Sequence, residues 1–294
     1  MHRNRHQALY IFLIAFLLFY LLYKLFSAFS ASLFFNRPSR LNVVIYGPST
    51  VYYSFDSQDK QNYRIQFDPE VKVDVPGGYG KYRVGSLGKL VKLEHNPEIF
   101  KKTFSITTTT FVHYYFYQNA DEIYYEDVSE EKTKPSITQL LFFPSNASIL
   151  DRIYLTVFLI NNQDDNYKLI RYRKEKNEAL QDVVFQDESF IRDSIGLLYN
   201  SQYRKEQQSI QVLYRQNYKT AESVSALFEG NGIRVSDIAK NTSINDCRVM
   251  VSDDLSQTAK DLSKFFSCPI VKGETDVYDI IFVMGSKEED WRVN

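Results

Sequence analysis

From residue 8 to residue 23 every side chain is apolar or a tyrosine, and apart from Lys24 no charge appears before Arg37. A helix rises about 1.5 Å per residue and needs roughly 20 such residues to cross a bilayer's hydrocarbon. Residues 8–28 supply them when the Lys24 ammonium reaches to the nearer headgroups. This run reads as a membrane anchor. The alternative is a cleaved signal peptide, with Ala28-Phe29-Ser30 as a small-x-small processing site, but the apolar stretch is longer than a usual signal core. Arg3 and Arg5 flank one end, and Lys24, Arg37 and Arg40 the other, so the charge count does not by itself set orientation. A short leading tail followed directly by the apolar run predicts a signal anchor with its N-terminus in the cytoplasm and the bulk of the chain extracytoplasmic.

Of the 294 residues, 44% are hydrophobic and 15% aromatic, with 22 Tyr and 22 Phe, a composition that folds and favours sheet. All five charges in the first 40 residues are basic, leaving 30 basic against 36 acidic residues beyond them. An acidic balance is the opposite of a phosphate-backbone footprint, so nucleic acid is not an expected partner.

The expected organisation is a tail, anchor and linker over 1–40, a mixed-sheet domain with a connecting helix over 41–204, and a small domain over 205–294. The fold class is mixed α/β. Residues 36–40 read as a polar linker. In the first domain, strands are expected at 41–46, 63–67, 71–75, 111–117, 139–143 and 154–160, and a short helix at 97–104. Between them Pro76-Gly77-Gly78-Tyr79-Gly80 forms a loop whose glycines reach conformations closed to other residues. The charged stretches 121–134 and 162–166 read as solvated loops. A helical pattern over 188–203 connects the domains.

The last domain is more regular. A strand at 210–214, a helix at 220–229 with Ala221, Val224, Leu227 and Phe228 on one face, a Gly230-Asn231-Gly232 stop and a strand at 233–238 make one β-α-β unit. A second follows: a strand at 247–251, an N-cap at Ser252 or Asp253, a helix at 255–266 with Leu255, Ala259, Leu262 and Phe266 inward, and strands at 269–271 and 279–284. The order is β-α-β-β-α-β-β. Cys247 opens one strand and Cys268 precedes the next, and a β-α-β crossover returns the chain to the end where it began, within reach of a disulfide. Two plain core cysteines are the alternative reading.

The segments EQQSIQVL at 206–213, TAESVSALFEGNGIRV at 220–235, RVMVSDDLSQTAKDLSKFF at 248–266 and the closing YDIIFVMG resemble the C-terminal domain of LytR-CpsA-Psr proteins, which are membrane-anchored enzymes of the bacterial envelope. At Arg215-Gln216-Asn217-Tyr218 the chain departs from the family's Asn-Gly-Thr-like turn. NVVIYG at 42–47, VKVDVPGGYGKYRVGSLGKLVKL at 71–93 and PEIFKKTF leading to FVHYYFY are similar to the family's catalytic domain. That resemblance implies transfer of a glycopolymer from a polyprenyl pyrophosphate carrier to the cell wall, with arginines, aspartates and a divalent metal neutralising the leaving group.

The departures fall on that charged set. Asp68-Pro69-Glu70 stands where the family has Pro-Arg-Asp, Pro48-Ser49-Thr50 replaces acidic and basic elements after the first strand, and Gly85 replaces an asparagine. The cations left beside the glycine loop are Lys81, Arg83 and Lys89, an anion-binding set or a solvated edge. His95 and His113 are isolated, so no metal site is expected, and no cofactor. Magnesium enters only if the chain is a transferase. The leading expectation is a non-catalytic envelope scaffold or cell-wall-interaction module, a pseudoenzyme on a family frame. The rivals are a glycopolymer transferase using Arg64 or Arg83 and a membrane-tethered protein-interaction module. The expected partners are the membrane and a cell-wall glycan, polyprenyl-linked lipid or envelope protein.

Overall fold

A computed structural model describes residues 2–58, 61–118, 123–125, 134–161, 167–177, 182–243, 245–252 and 255–293. The expected loops at 121–134, apart from 123–125 and Lys134, and at 162–166 lie outside the described residues. The chain divides into one unit of Met1–Pro38 with Ala147–Gln163 and a second of Ser39–Asn146 with Asp164–Asn294.

In the first unit, helix α1 (His2–Ala31) contains a stretch, Phe12–Ser30, long and apolar enough to cross a membrane, with a mean hydropathy of 2.1 and none of it buried. The chain then turns at Ser32, whose N–H and hydroxyl both donate to the Phe29 carbonyl. It meets helix α5 (Ile149–Asn161), where Asp151 Oδ1 accepts from the Leu33 N–H at 2.8 Å. Residues 154–160 are therefore helix and not the expected strand. Ser148 and Asp151 cap the first turn reciprocally, with the Asp151 N–H donating to Ser148 Oγ and that hydroxyl donating back to Oδ2. Leu155 and Leu159 then repeat at helical spacing on the buried side.

Among the described residues the second unit contains three sheets. The first has order β6-β1-β2-β3-β7, with β1 (Arg40–Tyr46), β2 (Thr50–Asp56) and β3 (Asn62–Phe67) an antiparallel meander, and β6 (Tyr114–Tyr117) and β7 (Tyr167–Leu169) added parallel at its edges. Both β1 and β2 are buried along their whole length, β1 with a near-continuous apolar run and β2 with its aromatic rings and hydroxyls alike. The second sheet, β5-β4-β9-β8, comprises β4 (Val71–Val75), β5 (Gly80–Arg83), β8 (Lys174–Asn177) and β9 (Asp182–Phe185). Val71, Val73 and Val75 of β4 face the core while Lys72 and Asp74 face out. Helices α2 (Leu87–Glu94) and α3 (Glu98–Thr108) complete a core built around Tyr46, Phe67, Phe100 and Phe104.

Three further expectations are corrected here. Residues 137–142 form helix α4 (Ile137–Phe142), started by a Ser136–Gln139 capping box, where a strand at 139–143 was expected. The strand over 111–117 shortens to β6, because Phe111 leaves the sheet to join a different core. The helix over 188–203 breaks at Gly196, which adopts φ +81°, into α6 (Asp187–Ser194) and α7 (Ser201–Glu206).

The third sheet, β11-β10-β14-β12-β13, has the expected β-α-β-β-α-β-β order: β10 (Ser209–Tyr214), α8 (Tyr218–Gly230), β11 (Arg234–Lys240), β12 (Arg248–Val251), α9 (Gln257–Phe266), β13 (Ile270–Lys272) and β14 (Ile280–Val283), with a closing helix α10 (Lys287–Asp290). Both β-α-β crossovers join parallel neighbours. Helix α8 buries Ala221, Val224, Leu227 and Phe228 completely. Helix α9 starts at Gln257 with Ser256 Oγ accepting from the Ala259 N–H, so Leu255 precedes the helix and is exposed instead of facing inward.

This third sheet has its own core, and Phe111 from the first half is part of it, packed edge-on or tilted among Tyr203, Phe228, Phe265 and Phe266. The backbone around it is fixed from both sides. Its N–H donates to Asn231 Oδ1 and its carbonyl accepts from Asn42 Nδ2. At Gly230 an added Cβ would lie 2.0 Å from the Thr109 carbonyl oxygen, so α3 and α8 approach too closely for any side chain there.

Candidate functional site

The glycine loop is held by the far end of the chain. Gly77 (φ +97°) and Gly78 (φ +79°) point their N–H groups at the Arg292 carbonyl, at 2.9 and 3.0 Å. A Cβ on Gly78 would strike the Arg292 guanidinium at 2.2 Å. The loop's donors thus grip a backbone oxygen of this same chain.

Two of the three cations beside it are paired with carboxylates. Lys81 and Arg83 alternate onto the outward face of edge strand β5, where Lys81 pairs with Asp74 at 3.0 Å and Arg83 with Glu70 at 3.3 Å. Lys89 is exposed on α2. Arg64, the other arginine of the transferase alternative, is buried within β3.

Strand β1 ends, just before the Pro48-Ser49-Thr50 turn, at Tyr46. Its hydroxyl donates to the Gly85 carbonyl at 3.1 Å and accepts from the Gly88 N–H at 2.8 Å, tying β1 to the entry of α2. Burial pushes its phenol well up, so it remains a neutral donor. Phe100 and Tyr124 pack on its ring at centroid distances of 4.5 and 5.9 Å. Gly85 is enclosed, since its N–H donates to the Pro69 carbonyl, its own carbonyl accepts from the Tyr124 N–H, and a Cβ would sit 2.0 Å from the Tyr124 oxygen. Neither an asparagine nor any other side chain fits there.

A polar cleft of about 360 Å³ lies at the turn where the chain departs from the family's C-terminal pattern. It is lined by Arg215, Gln216, Asn217, Ser286, Glu288 and Arg292, among others. The backbone N–H groups of Arg215, Gln216 and Asn217 all donate to the Glu288 carboxylate, at 2.6, 2.8 and 2.5 Å. Three successive donors in a turn make an anion-binding nest, and here the anion is internal. Sequence reasoning missed Glu288. Its only signal was an acidic residue in a short helix more than seventy positions from its partners.

His95 and His113 lie at backbone junctions. His95 is the left-handed C-cap of α2 and is exposed. His113 is half-buried, and its Nδ1 accepts from the Asn42 N–H at 3.1 Å. Burial, reinforced by the Lys101 and Lys264 ammonium groups, pushes its imidazole down from 6.5 to about 3. Below pH 6.5 the unfolded chain therefore binds a proton that the folded chain refuses, so stability falls as pH drops from about 6.5 toward 3. Between about pH 7.5 and 5 the loss from this group is about 2 kcal/mol. His113→Gln keeps an acceptor and is expected to remove that share from the acid slope in chemical denaturation. An unchanged slope would mean that the folded imidazole titrates normally.

Cys247 and Cys268 are joined as a disulfide with their Cα atoms 5.4 Å apart, at the common end of β12 and β13.

No family model and no curated protein matches the chain. Two solved structures of LytR-CPS2A-Psr type are similar over about half of it. The first is the family protein YwtF (TagT) with bound octaprenyl pyrophosphate lipid, 10% identical, covering 53% of this chain and 87% of that one with a TM-score of 0.37. The second is B. subtilis TagU, 8% identical, covering 52% and 92% with a TM-score of 0.32. With TM-scores below 0.5, neither likeness bears on what this chain binds or does.

Proposed function

We propose that the chain is a membrane-anchored, extracytoplasmic envelope protein that works as a non-catalytic scaffold or cell-wall-interaction module. The observation that carries the non-catalytic reading is the closure at the end of β1. Tyr46 fills the space between the end of β1 and the entry of α2, and Gly85 excludes any side chain, while Lys81 and Arg83 are paired with carboxylates. A leaving pyrophosphate needs several converging cations or a metal, and this arrangement offers neutral hydroxyls and rings instead. The apolar α1 supports the anchor, and the disulfide is of the kind that persists in oxidising, extracytoplasmic compartments.

The test is native mass spectrometry of the full-length protein in mild detergent, with and without magnesium. A folded preparation is expected to give the bare chain mass in both. A co-purifying polyprenyl pyrophosphate, turned over with magnesium and spared in Arg83→Ala, would overturn the scaffold reading in favour of a transferase.

A further inference from the structure

We propose that α5 lies in the membrane–water interface beside the anchor, with its outer face immersed among lipids. The inference rests on the reading of α1 as a membrane anchor. Ile149, Ile153, Val157 and Ile160 recur at intervals of four, four and three along α5, and they are 77%, 42%, 45% and 53% exposed. That spacing makes one continuous apolar stripe on a helix whose opposite side, Asp151, Leu155 and Leu159, is buried.

The occupant is fixed by what the stripe adjoins. The 19 residues of Phe12–Ser30 span about 28 Å as a helix, close to the roughly 30 Å of hydrocarbon in a bilayer, so Ser30 comes to the headgroup level. Within three residues the chain is bonded to α5 through the Leu33 N–H and Asp151. The elbow between them is aromatic. Phe29 packs against Phe34 and Phe35, Phe34 meets Tyr154 edge-on, and Tyr154 stacks on Phe158. The Arg37 guanidinium lies 5.1 Å over the Tyr154 ring. An amphipathic tyrosine with a cation above it, set among apolar rings, is what the boundary between hydrocarbon and water favours. A helix that starts at this level, within the same compact unit as the spanning segment, places its apolar face about 5–10 Å into the headgroup and acyl boundary. Lipid therefore accounts for the stripe without a second protein.

The experiment uses the full chain in phosphatidylcholine liposomes, with nitroxide labels on single cysteines introduced one at a time at Leu18, at Ile149, Arg152, Ile153, Val157 and Ile160, and at Val277. Val277 is 84% exposed in the second unit. The native cysteines are bonded to each other and stay unlabelled. Accessibility to oxygen relative to a water-soluble nickel chelate is expected to be several-fold higher at 18, 149, 153, 157 and 160 than at 277, with a dip at 152 marking an intact helix. Labels on α5 that read like 277 while 18 stays in lipid would overturn the inference and leave the anchor standing. A label at 18 that reads as aqueous would remove the anchor and the inference together. Labels at 153 and 157 shielded from both reagents would overturn it in favour of a protein covering. A flat profile across α5 would also overturn it, because the stripe exists only on a formed helix.

Discussion

Replacing Phe111 with alanine is expected to lower the stability of the second unit by about 3–5 kcal/mol, as for other buried aromatic truncations. The ring is 2% exposed, and its four aromatic neighbours all come from the C-terminal half. The cavity would therefore open in a core to which Phe111 contributes from more than ninety residues upstream of its nearest aromatic neighbour. Wild-type unfolding should give one transition, coincident by far-ultraviolet circular dichroism and by Trp291 fluorescence. Trp291 packs on Phe265 and Phe266 in that same core. In Phe111→Ala the single transition is expected to shift to lower denaturant, or to split as the two cores lose their coupling. An unshifted midpoint would mean that the core closes over the gap and that the halves are joined elsewhere.

The second large effect is expected at Asp56. Its carboxylate accepts from Arg40 Nη2 at 2.6 Å, and the two side chains are 1% and 5% exposed. Arg40 also donates to Ser54 Oγ and to the Tyr199 carbonyl, so the guanidinium has no route to water without breaking the start of β1. Asp56→Ala leaves that charge buried and unpaired, at a cost of about 3–5 kcal/mol. The double variant Arg40→Met with Asp56→Leu removes both charges and is expected to lose less than Asp56→Ala alone. The denaturation midpoints of the three chains decide the matter. A loss below about 1 kcal/mol in Asp56→Ala would show that water reaches the guanidinium, since exposed pairs contribute that little.

Arg40 also illustrates how far the sequence could be read. Beside Arg37 it looks like a linker charge flanking an anchor, and only its partners sixteen and 159 positions away show that it is a buried strand residue. The third sheet was legible because local signals agree there. The Gly230-Asn231-Gly232 stop falls where expected, with Gly232 at φ +87°, and the expected order of strands and helices is found, whereas α9 is capped by Ser256, later than the expected Ser252 or Asp253. The first half gave fewer such signals. In α5 the β-branched and aromatic content of 154–160 imitates a strand, and the helix is evident only when its cap at Ser148 and the apolar residues upstream are counted. Strand β2 is rich in hydroxyls and was not expected at all, yet it is buried throughout.

The candidate site divides in the same way. That Gly77, Gly78 and Gly80 need unusual backbone angles was readable from residue type, but the Arg292 carbonyl to which Gly77 and Gly78 donate is over two hundred positions away. The pairing of Lys81 with Asp74 was in principle readable from the β4–β5 register, which sets them opposite each other. The enclosure of Gly85 was not, because it is made by the Tyr124 backbone after a connection with no periodic pattern.

The placement of Phe111 also orders events in time. A chain made from its N-terminus presents this ring about 180 residues before Trp291, which closes the same core. At 5–20 residues per second that is a wait of roughly ten to forty seconds. Throughout it the first half carries an exposed aromatic hook with no pocket to enter.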